Sequence, residues 1–289
     1  MKKLLLNILK TIMRKYPKQV LNIRFFKKYH RKINWKNPKD IQEYVFKIYI
    51  DDFNKSNLRI YGDLTDKIKV RNFIREKIGE SYLTRLLGVW NSEEDINFDL
   101  LPNQFVLKTN NGCGTNIIIK NKSKELDIAQ IKRKLRNWKS YPYGELSGQP
   151  HYSLIKPKIL AEEYLIQDKN KDILPFDYKF FCFDGEPKFV ILYEGRKLNE
   201  HKANYMAYDI NWNKMNNFIN NPIKIDIDKP KCWDLLLELV KKLCYGFKFV
   251  RVDFYVIDNK PYFGEMTFTP SITALTDNAK INLMNLINN

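Results

Sequence analysis

The sequence predicts an α+β fold, and three observations carry that prediction. Residues 249–269 (FVRVDFYVIDNKPYFGEMTFT) alternate in side-chain character on either side of a turn signal at Asp258-Asn259-Lys260, the pattern of an antiparallel hairpin. Residues 176–193 repeat the pattern around Asp184-Gly185. Separate stretches at 41–52, 63–79 and 127–138 carry helical rather than alternating spacing. The chain has 289 residues, of which 44% are hydrophobic, enough to bury a large core in one or two packed domains and to exclude disorder.

The amino-terminal stretch stands apart by charge. Of the 50 Lys and Arg residues, 13 fall within residues 1–39, where there is no acid at all; the remaining 37 nearly balance the 33 acids, so this extension supplies most of the net charge of +17. Nucleic-acid binding is disfavoured, because the cations sit on a terminal extension with no nucleic-acid-binding motif around them. Leu4, Leu5, Leu6, Ile8, Leu9, Ile12 and Met13 form a helical apolar face flanked by Lys2, Lys3, Lys10, Arg14 and Lys15, and Pro17 ends that helix. The run is too short to span a bilayer, and no small-residue cleavage site follows it. A basic amphipathic helix of this kind either lies on anionic lipid or packs on the protein's own body. Packing is the expected arrangement, with a weak contact to anionic membrane as a by-product of charge. Cys113, Cys182, Cys232 and Cys244 form no CxxC pair, which suits reduced thiols in a cytoplasm, and His30, His151 and His201 share no metal-ligand spacing.

Past residue 39 the elements follow in order. Residues 41–52 read as a helix. A second helix is expected to start at Asp63, whose side chain would cap it, and to run through Lys67, Val70, Arg71 and Ile74 to Gly79. Residues 83–90 read as a strand. Residues 105–120 (FVLKTNNGCGTNIIIK) read as a strand ending at Lys108-Thr109, a loop holding Gly112 and Gly114, and a return strand. Glycines let backbone N–H groups approach an anion and a strand-end lysine neutralises phosphate, but a plain turn has the same appearance, and no Walker sequence follows. Asp127 opens a basic helix, residues 140–152 read as irregular, and residues 158–165 (KILAEEYL) as a buried strand ending on Glu162 and Glu163. In the 176–193 hairpin, Asp177 and Lys179 share a face. They suit a cross-strand ion pair and equally a ribose-hydroxyl acceptor beside a phosphate ligand.

The last hairpin carries the sharpest chemistry. With Ile257 opposite Pro261 across a three-residue loop, Tyr255 faces Phe263, Asp253 faces Glu265 and Arg251 faces Thr267. Opposed carboxylates are destabilising unless a cation lies between them, and oxygen ligands on rigid strands suit Mg²⁺. A hydrated hairpin face is the alternative. If the carboxylates merely repel, neutralising either one leaves the fold intact.

Taken in order, several blocks resemble the TupA-like ATP-grasp family: NPK from Asn37, DKIKVRNFIREKIG from Asp66, LLGVW from Leu86, LPNQFVLKTNNGCG from Leu101, AEEYL from Ala161, DYKFFCFDGEPK from Asp177 and RVDFY with FGEMTFTP from Arg251. The resemblance implies an ATP-grasp fold, two α+β subdomains gripping ATP, preceded by the basic extension at 1–39. Residues 40–289 form the ATP-grasp region, with a lid subdomain near 100–162 and a metal-binding core near 163–289. It implies that Lys108 contacts the nucleotide phosphates under a loop with Gly112 and Gly114. Glu162, Glu163 and Leu165 would line the adenine hinge, and Asp177 would take the ribose hydroxyls. Lys179 and Arg251 would serve the transferred phosphoryl group, and Asp253, Glu265 and Thr267 would hold Mg²⁺. Thr267 stands where many ATP-grasp enzymes have Asn, and no glycine follows at Pro270-Ser271-Ile272.

The implied activity is ATP-dependent joining of a carboxylate to an amine through an acylphosphate. The implied substrates are a sugar acid or other carboxylate of a bacterial surface polysaccharide and an amine such as an amino acid. The implied setting is cytoplasmic, at most peripheral to the inner face of the membrane. A glycosyltransferase would need a nucleotide-sugar site with a DxD-like pair, which is not found. A non-catalytic basic protein binding membrane or nucleic acid would account for residues 1–39 and leave Arg251, Asp253 and Glu265 without a role.

Overall fold

The computed structural model describes residues 10–53, 57–167, 174–193, 204–223 and 226–288. Lys2, Lys3, the apolar run from Leu4 to Leu9, and His201 lie outside the described residues. The chain forms two compact units, each with its own antiparallel sheet. One comprises Met1–Lys32, Asp52–Asn72 and Thr84–Tyr164; the other comprises Ile33–Asp51, Phe73–Leu83 and Leu165–Asn289.

In the first unit, β1 (Leu86–Trp90), β2 (Phe105–Thr109), β3 (Asn116–Ile119) and β4 (Ile159–Glu163) form a sheet of order β1-β4-β2-β3. Alternation along β2 and β4 divides the faces. Phe105, Leu107, Ile159 and Ala161 are fully buried in a core with Ile131 and Leu135 of the Ile128–Ser140 helix. Asp127 caps that helix by accepting the Gln130 N–H at 2.9 Å. Val106, Lys108 and Glu162 therefore lie on the opposite face.

Pro17 does end the first helix, at residues 10–15, but it also opens the next, Pro17–Tyr29, where its missing N–H costs nothing. Val20, Leu21 and Phe25 of that helix are buried, so this part of the extension packs on its own unit. Leu21 sits against Gly148, where an added Cβ would lie 3.0 Å from Leu21 Cγ and φ is +73°. The 140–152 segment is not irregular: it holds a short helix, Tyr143–Ser147, and a 3-10 turn, Pro150–Leu154. Both are too short to leave a readable period.

The helix expected from Asp63 to Gly79 is two helices, Leu58–Thr65 and Val70–Lys77. Asp66 makes the break. Its own N–H closes the first helix on Gly62 O, while its carboxylate accepts from Ile68 N at 2.9 Å and Lys69 N at 3.4 Å ahead of the second. Asp63 lies inside the first helix and pairs with Lys69 at 2.5 Å instead of capping.

In the second unit, β5 (Asp177–Phe183), β6 (Glu186–Tyr193), β7 (Tyr205–Asp209), β8 (Phe249–Ile257) and β9 (Lys260–Thr267) form a sheet of order β7-β6-β5-β8-β9. The Trp233–Cys244 helix packs on β6 and β8, with the Trp233 ring 5.5 Å from Phe180. On the other face Phe181, Phe183, Ile191, Ala207 and Phe249 pack with Ile41 and Val45 of the Ile41–Phe53 helix and with Ala279 and Leu283 of the Asp277–Asn288 helix. Further along β5 and β8 this same face turns from apolar to charged, and the change creates the site.

The β8–β9 pairing corrects the expected hairpin in an instructive way. The loop has two residues, Asp258 and Asn259, with φ of +50° and +60°, so Ile257 pairs with Lys260 and Tyr255 with Tyr262, not with Pro261 and Phe263. A β-bulge between Asp253 and Phe254 then shifts the register by one, with Gly264 as the extra residue opposite. Beyond the bulge Asp253 faces Glu265 and Arg251 faces Thr267, as the sequence predicts. A Cβ on Gly264 would lie 3.1 Å from Asp253 O, so glycine permits the close approach.

Candidate functional site

The residues singled out in the sequence fall into two charged clusters, one in each unit, and their net charges are opposite. In the second unit Arg251 is the hub. Its Nε and Nη2 donate to the two carboxylate oxygens of Asp253, each at 2.7 Å. Nη2 also reaches Glu265 Oε1 at 2.5 Å and Thr267 Oγ1 at 3.1 Å, and Thr267 donates to Glu265 at 3.2 Å. The opposed carboxylates thus already share a cation, the guanidinium, held by a fork geometry that suits carboxylates. Lys179, opposite Asp253 across β5 and β8, donates to Asp253 Oδ2 at 2.7 Å and to Asp177 Oδ2. Asp177 and Lys179 thus form an ion pair within β5, and the pair that crosses strands is Lys179 with Asp253.

Burial and neighbouring charge oppose each other at Arg251, Lys179 and Asp177. Asp253 is 2% exposed and Arg251 8%. Burial alone would lower the Arg251 pKa, but Asp253 and Glu265 outweigh it and hold the guanidinium firmly charged. Lys179 is likewise pulled down by burial and raised more by Asp177 and Asp253. Asp177 moves up to about 6, chiefly through burial, with Lys179 opposing and Asp253 assisting. Its Oδ1 is buried without a hydrogen-bond partner. Three carboxylates against two cations leave this cluster one negative charge in excess.

Asp253, Glu265 and Thr267 offer hard oxygen ligands, Glu265 is 40% exposed, and the excess charge is negative, so the set fits a divalent cation shared with substrate oxygens. Among the described residues no group of three or more His, Cys, Asp or Glu is arranged to hold a metal alone.

The first unit gathers Lys108, Glu162 and Arg71. Lys108 Nζ lies 2.6 Å from Glu162 Oε2, and Arg71 Nη1 lies 3.0 Å from Oε1 while its Nη2 donates to Thr84 O at 2.7 Å. Two cations on one carboxylate leave a positive excess, suited to an anion. The glycine loop beside Lys108 is fixed at its base: Asn110 donates to Asp66 Oδ1 at 3.0 Å and accepts from Lys158 N at 2.7 Å. Lys67 donates to Gly112 O at 2.6 Å, and Gly114, at φ +70°, has open space where a side chain would stand. Glu163 takes no part in this cluster; strand alternation turns its side chain outward. Leu165, half-buried, follows the end of β4.

Sequence reasoning gave no role to Arg71 or Lys67. His151 is buried and its pKa is pushed down to about 3 by that burial, a core residue and not a ligand.

Among solved structures the chain is similar to D-alanine–D-alanine ligase from Bacillus anthracis complexed with ATP, at 17% identity and TM-score 0.45, covering 78% of this chain and 60% of that one. It is also similar to L-amino acid ligase from Bacillus licheniformis, at 12% identity and TM-score 0.47, covering 86% and 53%. The ATP-grasp ligase PsnB complexed with a minimal precursor gives 12% identity and TM-score 0.45, covering 85% and 67%. The chain thus spans 60% of the length of that D-alanine–D-alanine ligase. No curated protein matches the sequence. The model of the TupA-like ATP-grasp family matches residues 47–282, a span that contains both clusters. The chain therefore belongs to the TupA-like ATP-grasp family.

Proposed function

We propose that this protein is an ATP-dependent carboxylate–amine ligase that modifies a bacterial surface polysaccharide or its precursor. The observation that carries the reading is the charge division within the family's own motif blocks: a cationic set around Lys108 and an anionic set around Asp253 and Glu265. The first suits a polyphosphate and the second a divalent cation.

Family membership supports ATP and Mg²⁺ as cosubstrate and cofactor. Lys108 and Arg71 bind phosphate oxygens, with the Gly112 and Gly114 backbone beside them. Glu162, Glu163 and Leu165 form the adenine-side strand end. Asp177 accepts from ribose hydroxyls through its unpartnered Oδ1. Asp253 and Glu265, with Thr267, hold Mg²⁺, which supplies charge neutralisation to the phosphates when bound. Arg251, released from Glu265, places its guanidinium on the oxygens of the transferring phosphoryl group, with Lys179 as a second positive group near the phosphates. Catalysis on this scheme is positioning and charge stabilisation, with no covalent protein nucleophile. A carboxylate attacks the γ-phosphorus of ATP and ADP leaves. The amine then displaces phosphate from the acylphosphate.

Measuring ADP release with nucleotide-linked uronic acids crossed against amino acids and amino alcohols tests this function. Release that needs both a carboxylate and an amine supports it. Release with a hydroxyl acceptor alone would make the protein a kinase, and turnover of a nucleotide-sugar without ATP would make it a glycosyltransferase.

A further inference from the structure

The Pro17–Tyr29 helix is apolar on two sides. Leu21 and Phe25 face the body of the first unit, yet Ile23 and Phe26, displaced by roughly half a turn, are 57% and 51% exposed. Ile12 and Tyr16 extend the outward set toward the amino terminus, at 49% and 45% exposed. Backbone hydrogen bonds from Tyr16 N to Ile12 O and from Val20 N to Tyr16 O carry the chain across the break. Residues 10–32, all within this unit, carry nine Lys or Arg and no acid.

We infer that this outward face is a docking surface for anionic lipid. Charge selects the occupant: a surface with only cations needs an anionic partner, and a second copy of the chain would set like charges against each other. The exposed aliphatic and aromatic side chains select lipid over nucleic acid, because phosphate contacts alone give Ile12, Ile23 and Phe26 nothing to bury in. Among the described residues no helix is long and apolar enough to cross a membrane, so the helix would lie in the interface plane. Packing on the body and lipid contact are therefore not alternatives: Leu21 and Phe25 do the first, Ile23 and Phe26 the second. The inference does not depend on the proposed ligase activity.

The test is co-sedimentation of the full chain with phosphatidylcholine vesicles, with and without phosphatidylglycerol, comparing wild type with I23S/F26S. Binding is expected only with phosphatidylglycerol, fading as salt rises from about 0.1 M to 0.5 M as charges are screened. The double substitution should weaken it at least tenfold or so while leaving the melting temperature unchanged, since both side chains are exposed. Vesicle binding unaltered by I23S/F26S overturns the inference, leaving charge alone. So does a wild-type dimer that the double substitution dissociates, or retention of RNA that depends on Ile23 and Phe26 when vesicles are not bound.

Discussion

Replacing Asp253 by Asn and Glu265 by Gln separates the two roles of the hairpin's charges. Treated as carboxylates that merely repel, both should be neutralised without loss of stability. Arg251 changes that expectation, because it is bonded to both. Asp253 is 2% exposed, holds the guanidinium at two points and also receives Lys179. Removing its charge leaves two buried cations short of a partner, a loss of about 3 kcal/mol at the lower end of broken buried pairs. Glu265 has a side chain 40% exposed and one contact to Arg251, so E265Q should cost less than about 1 kcal/mol. At about 2–4 °C per kcal/mol, D253N should melt roughly 6–12 °C below wild type and E265Q within about 4 °C of it. Thermal and denaturant unfolding of the purified full chain measures both. Equal, small losses for the two variants would refute the view that Arg251 is held mainly by Asp253.

Other outcomes follow from the same geometry. Lys108→Ala should remove most of the rise in melting temperature that Mg-ATP gives wild type, with the rise itself measured by a dye-based melt. Gly264→Val should abolish ADP release and lower stability by about 1–3 kcal/mol, because its side chain would crowd the Asp253 carbonyl, 3.1 Å from the Cβ position. His151 carries a folded pKa of about 3 against about 6.5 unfolded, so the folded state binds fewer protons between those values. Stability should therefore fall as pH drops below 6.5, by about 1.4 kcal/mol per unit from this residue. The gap between wild type and His151→Gln in denaturant unfolding should shrink by that amount per pH unit between about 6.5 and 4.5.

The second hairpin shows what a sequence can and cannot specify. Alternation placed Arg251, Asp253, Glu265 and Thr267 on one face, and their pairing is as expected, but for a partly mistaken reason. A two-residue turn replaces the three-residue loop, and the Gly264 bulge restores the register by one residue. A lone glycine in a strand signals such a bulge only once the partner strand is known. Arg71 escaped assignment because its partner, Glu162, is 91 residues away, and neither local pattern nor charge spacing reports so distant an ion pair. The break at Asp66 was missed for a local reason: Asp63 and Asp66 are both competent caps, and the contest is decided by which carboxylate meets free N–H groups. The strand ending at Lys108 and the facing of Asp253 and Glu265 were legible because strand alternation is a local pattern.

The most direct test is equilibrium binding of ATP with and without Mg²⁺ to wild type, Lys108→Ala and Glu265→Gln. Wild type should bind ATP tightly only with Mg²⁺. Lys108→Ala should bind weakly in either condition, and Glu265→Gln, still folded, should lose the enhancement by Mg²⁺. ATP binding that ignores both Mg²⁺ and Glu265, or binding of a nucleotide-sugar in place of ATP, would contradict the assignment of the two clusters to phosphate and metal.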